Sequence, residues 1–140
     1  MAHKLFRKIT FTNLSSRHKK IYKYHKASSI LAEYGLETVQ PKEDWEDADF
    51  LAKNSEGEIC LRVLLKTGLI FHKKYLHKGL YICFPNENDW YLFPHDEVLG
   101  MLLSSMEGAI VNSRAWIETG TYSYSYLSRD KKKIIQQYKL

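Results

Sequence analysis

The 140-residue sequence is poor in the residues that cross-link or punctuate a chain, with two cysteines, three prolines and seven glycines. Cys60 and Cys83 sit inside the apolar runs EICLRV and LYICFP without metal-ligand spacing, so they read as buried, reduced thiols. No Pro- or Gly-rich linker, internal repeat or low-complexity segment divides the chain. Residues 1–140 are therefore expected to form one domain around a single core. No apolar stretch approaches the roughly 18–20 residues that a membrane span needs. The N-terminal MAHKLFRKITF is basic but lacks the long apolar region of a signal peptide, so the expectation is a cytoplasmic chain with no membrane partner. Also missing are a phosphate-binding glycine loop, a nucleophile elbow and a His–Glu metal helix. His72 and His77 lie five apart and His18 and His25 seven apart, which argues against a zinc site.

What is present is charge in blocks. Residues 1–32 carry eight Lys or Arg and no acid, residues 33–60 carry nine acids against two bases, and residues 61–83 carry five bases and no acid. Segregated charge creates local fields, and basic surfaces attract phosphate backbones. The same blocks are also compatible with ordinary solvated faces.

The periodicity predicts a mixed α/β domain. Residues 15–35 read as a helix with a serine cap, a stripe of Ile21, Tyr24, Ser28, Leu31 and Tyr34, and Gly35 as its stop. Short strands are expected at 36–41 and 48–54, and the strongest strand at 58–66. The last two form a hairpin across the SEGE turn. Strands at 79–85 and 89–94 precede a helix at 95–106. Residues 113–128 are aromatic and β-prone, and a terminal helix starts near Ser128.

Alternation places Glu58, Cys60, Arg62, Leu64 and Lys66 on one mixed face of residues 58–66, and Ile59, Leu61, Val63 and Leu65 on a core face. The hairpin brings Asp49 and Lys66 to the end of the sheet opposite the turn. A carboxylate there can hold a divalent cation, and a lysine can orient water or neutralise developing charge. Glu58 lies roughly 26 Å from Lys66 along the strand and cannot join them.

The run DADFLA, a short turn and a strand ending RVLLK resemble the PD-(D/E)xK nuclease superfamily, over roughly residues 15–106. That resemblance implies a restriction-endonuclease-like core, a mixed central sheet flanked by helices. It implies phosphodiester hydrolysis on DNA with Mg²⁺ or Mn²⁺. Asp49 would be the metal-holding aspartate, Lys66 the catalytic lysine, and Glu33, near the end of the first helix, an accessory acid and second metal ligand. The departure is Leu64, which stands where the family keeps an acid or glutamine. Three cases follow at Leu64: a nuclease completed by a displaced acid such as Glu33 or Asp47, an inactive relative that binds nucleic acid or a protein partner, or an altered position in an otherwise competent nuclease.

Basic residues interleaved with tyrosines recur in RHKKIYKYHK (17–26) and FHKKYLHK (71–78). Lys19, Lys20, Lys23, Lys73, Lys74 and Lys78 are the expected phosphate contacts, with rings free to stack on bases or to pack as core. SRDKKK reads as a basic tail or a solvated helix start. Trp116, Tyr122, Tyr124 and Tyr126 could complete the sheet or form a subunit contact, and a homodimer is the expectation from the resemblance. A third reading makes association through this aromatic strand the protein's whole role.

Overall fold

The computed structural model describes residues 5–41, 48–124 and 127–140, with backbone alone for 106–108. Ser15 opens helix α1 (Ser16–Ala32), its hydroxyl accepting the His18 N–H at 3.2 Å. The chain reverses through Gly35, whose φ of 74° suits a residue without a β-carbon, and enters β1 (Glu37–Val39). Strands β2 (Phe50–Lys53) and β3 (Cys60–Leu65) form the expected hairpin. Next come β4 (Leu69–His72), a 3-10 turn (Lys73–Tyr75), β5 (Leu80–Asn86) and β6 (Asp89–Pro94). Helix α2 (His95–Val111), the short α3 (Arg114–Thr119), β7 (Thr121–Tyr124) and α4 (Arg129–Ile135) complete the order.

The main sheet runs β1-β2-β3-β5-β6, with antiparallel neighbours except for the parallel β3–β5 pair. A parallel pair needs a crossover connection. Here residues 66–79 supply it, carrying β4 and the 3-10 turn over one face, where β4 pairs with β7 in a second small sheet. The expected mixed sheet with flanking helices is thus the observed architecture.

Two apolar clusters sandwich the sheet. On one face, Ala27 and Leu31 of α1 pack with Phe50, Ala52, Val63 and Cys83. On the other, Leu64, Leu80, Ile82, Phe84 and Phe93 pack under Leu69 and Phe71 of β4, Leu99 and Leu102 of α2, and Ile135 of α4. The expected single core is therefore split by the sheet into two.

Several sequence expectations change. Leu64 is only 5% exposed and belongs to the larger cluster, so the supposed mixed face of β3 is core at this end. Ile59, expected in the core, is exposed, because β3 pairs only from Cys60 onward. Cys83 is buried, and desolvation pushes its thiol up to about 12, but Cys60 is exposed. On α1 the buried positions are Ala27 and Leu31, with Tyr24 and Ser28 half-buried, while Ile21 and Tyr34 stay exposed. Residues 113–128 are not one strand. Ser113 caps α3, whose C-cap Gly120 adopts φ 73°, and only then does β7 begin. A β-carbon at Gly120 would also come within 3.3 Å of the Lys73 side chain. Tyr126 lies outside the described residues.

Candidate active site

Asp49 sits where β2 begins to pair with β3. Its N–H donates to the Val63 carbonyl at 2.8 Å, and its Oδ2 accepts the Leu65 N–H at 2.7 Å. One carboxylate oxygen is thereby fixed against the end of β3, leaving the other for a ligand. Lys66 follows at the same end, its N–H donating to the Cys83 carbonyl at 2.8 Å. Asp49 and Lys66 line one cleft of about 330 Å³, together with Lys20 and Tyr24 of α1, Gln40 beyond β1, Phe50 and Leu65. The pair does not close into a direct ion pair, since the Lys66 ammonium rests 5.3 Å from the centre of the Tyr75 ring.

Tyr24, which lines the cleft, is tied to β1, where its hydroxyl meets the Thr38 hydroxyl at 3.0 Å and Ser28 meets the same Thr38 oxygen. The N-terminal half of α1 thus borders the cleft. Its charged residues divide: Lys20 lines the cleft, while the Lys19 and Lys23 ammoniums lie 5.6 and 5.5 Å from the Phe11 ring centre. Partial burial and the neighbouring Lys19 lower the Lys23 pKa from the ordinary lysine value.

Glu33 is not brought to this cleft. It is the exposed C-cap of α1, thirteen residues past Lys20 and so about 20 Å further along the helix axis. The chain returns through β1, which delivers Gln40 instead. Asp47 lies outside the described residues. Of the other expected cations, Lys74 joins Lys66 over Tyr75 at 5.4 Å, whereas the exposed Lys73 covers Trp116 at 5.2 Å. Lys78 contributes its carbonyl to the Arg62 guanidinium. A second cleft of about 530 Å³ lies on α4, lined by Leu127, Arg129, Lys132, Lys133 and Gln136.

Sequence reasoning missed Gln40 and the histidine network beside Lys66. His95 is fully buried. Its Nε2 accepts the His72 N–H at 3.1 Å, and its Nδ1–H donates to Asp96 Oδ1 at 2.8 Å. The other Asp96 oxygen accepts the His77 N–H at 2.8 Å. Burial would raise the Asp96 pKa, but the hydrogen bonds from His95 and His77 outweigh it and lower the value. The only sequence signal was Asp96 at the start of a helix.

A solved bacterial homing endonuclease, I-Ssp6803I, shares the fold with a TM-score of 0.51 at 16% sequence identity, covering 89% of this chain and 86% of that one. No protein-family model matches the chain, and no curated protein does either. The likeness is one of architecture: the chain has the mixed α/β fold of that structure. Among the described residues, no helix is long and apolar enough to cross a membrane.

Proposed function

We propose that the chain is a nuclease-like domain that acts on DNA by metal-dependent phosphodiester hydrolysis in the Asp49–Lys66 cleft. The observation that carries this reading is that two residues from different strands line one cleft beside a basic helix, in a fold shared with a homing endonuclease. Among the described residues no three metal-ligating side chains cluster, so a hard cation would be held sparsely, by Asp49 and the Gln40 amide oxygen of the same cleft, and would keep most of its waters. A bound Mg²⁺ or Mn²⁺ supplies polarisation of the phosphoryl oxygens and makes a water easier to deprotonate. Lys66 stabilises charge on the phosphate, and Lys20 draws the strand toward the cleft.

A second reading rests on Leu64. Sealed in the core, it offers no oxygen where the resembling family keeps a polar ligand, which favours a domain that binds nucleic acid without cutting it. Incubation with plasmid and short duplexes, in Mg²⁺, Mn²⁺ or EDTA, separates the two. The nuclease reading predicts nicking in metal, none in EDTA, and a loss of about 10²-fold or more in Asp49→Ala and Lys66→Ala. Cleavage that survives both substitutions contradicts it; salt-sensitive binding without cleavage selects the second reading.

A further inference from the structure

Lys66 belongs to two groups of residues at once. On one side it lines the cleft with Asp49; on the other its ammonium shares the Tyr75 ring with Lys74 and His72. The two ammoniums lie 5.3 and 5.4 Å from the ring centre, and the His72 ring lies 5.5 Å from it. We propose that Lys66, His72 and Lys74, arrayed around Tyr75, form a phosphate site for the nucleic-acid strand next to the one engaged at Asp49. This inference rests on the DNA reading above for its ligand.

Three features support it. First, the group is all donors. His72 Nδ1 accepts the Lys74 N–H at 3.0 Å, so the neutral imidazole carries its proton on Nε2 and can only donate from there. That arrangement suits a phosphate oxygen and disfavours a metal ion. Second, the nearby carboxylate is already engaged. Asp96 spends one oxygen on His95 and the other on His77, leaving the two lysines without a carboxylate partner among the described residues. Third, the site is held in place. Buried His95 grips the His72 backbone, and Tyr75, 6% exposed, is anchored in the core. Burial, and after it the charges of Lys74, His95 and Lys66, lower the His72 pKa below its ordinary value, which agrees with their convergence. Preorganised donors lose little freedom when an anion arrives.

The test is duplex binding in EDTA, where no cleavage occurs, across a salt series. Lys74→Ala is expected to reduce the log–log salt slope by about 1. His72→Asn keeps an acceptor for the Lys74 N–H but removes the Nε2 donor, so it is expected to weaken binding roughly fivefold with the slope unchanged. Circular dichroism verifies that both variants are folded. Nitrogen NMR of the His72 ring is expected to show Nε2 shifting on duplex addition. A wild-type slope in Lys74→Ala, wild-type affinity in His72→Asn, or an equal slope change in Lys133→Ala on the α4 cleft, would overturn the assignment. A Nε2 shift with inorganic phosphate but not with duplex would assign the site to a small anion and overturn the nucleic-acid ligand. The outcomes separate from those of the nuclease reading: slope loss without cleavage sinks only the latter, and cleavage without slope loss sinks only this site.

Discussion

Leu64 and His95 carry the sharpest consequences of single side chains. Leu64 is buried among apolar neighbours on the face of the sheet covered by β4 and α2, so a carboxylate placed there would have to be desolvated. Leu64→Glu is expected to destabilise the fold by about 3 kcal/mol or more and to raise no cleavage above the wild-type level, which chemical denaturation and the plasmid assay would measure together. A variant as stable as wild type would show that the position opens to the cleft. His95 titrates in the opposite sense to a paired surface histidine. Burial lowers its pKa below 6.5 despite the opposing pull of Asp96. The folded protein therefore binds fewer protons than the unfolded chain below that value, and stability is complete above it and lost as pH falls through the lowered folded value. Thermal melts are expected to show a drop as pH falls below 6.5 that is smaller in His95→Gln, with His72 losing its partner on His95 Nε2 as the proton binds. An identical acid drop in the variant would place the sensitive group elsewhere.

Among the elements, α1 combines a basic outer surface with a small buried patch, and its start depends on one cap. Ser15→Ala is expected to cost about 1 kcal/mol in denaturant unfolding. No change would mean that the first turn draws its stability from other contacts. The helix, its cap and its glycine stop were legible because they are local: a serine, a periodic stripe and Gly35 lie within one segment. The β2–β3 hairpin was legible for the same reason, with Asn54–Glu58 supplying turn chemistry between two apolar runs. What escaped was set by tertiary context. LIFH is four residues long, and only pairing with β7 makes it a strand. RAWIET is rich in residues that favour strands, yet Ser113 and Gly120 bound it as a helix; the cap and stop were present in the sequence and outweighed by the aromatic pattern. The stripe on α1 was misjudged because the helix packs on the sheet through Tyr24, Ala27 and Leu31, leaving Ile21 uncovered.

Across the whole molecule, the sheet separates two basic regions, the α1 side bordering the Asp49 cleft and the α4 side bearing Arg129, Lys132 and Lys133. The pairing of Asp49 with Lys66 was legible because antiparallel register fixes which ends of a hairpin meet. Glu33 was misplaced because helix length, not sequence order, decides where an acid ends up: α1 carries it away from the cleft, and β1 brings Gln40 back. Asp49 and Lys66 are proposed to work as one site on DNA. The most direct measurement of this is a double-mutant cycle of duplex cleavage rates in Mn²⁺ for wild type, Asp49→Asn, Lys66→Ala and the combined variant. Residues acting as a unit predict that the combined variant is about as slow as the slower single one. Losses that multiply, or no cleavage by the wild-type protein, would contradict the account.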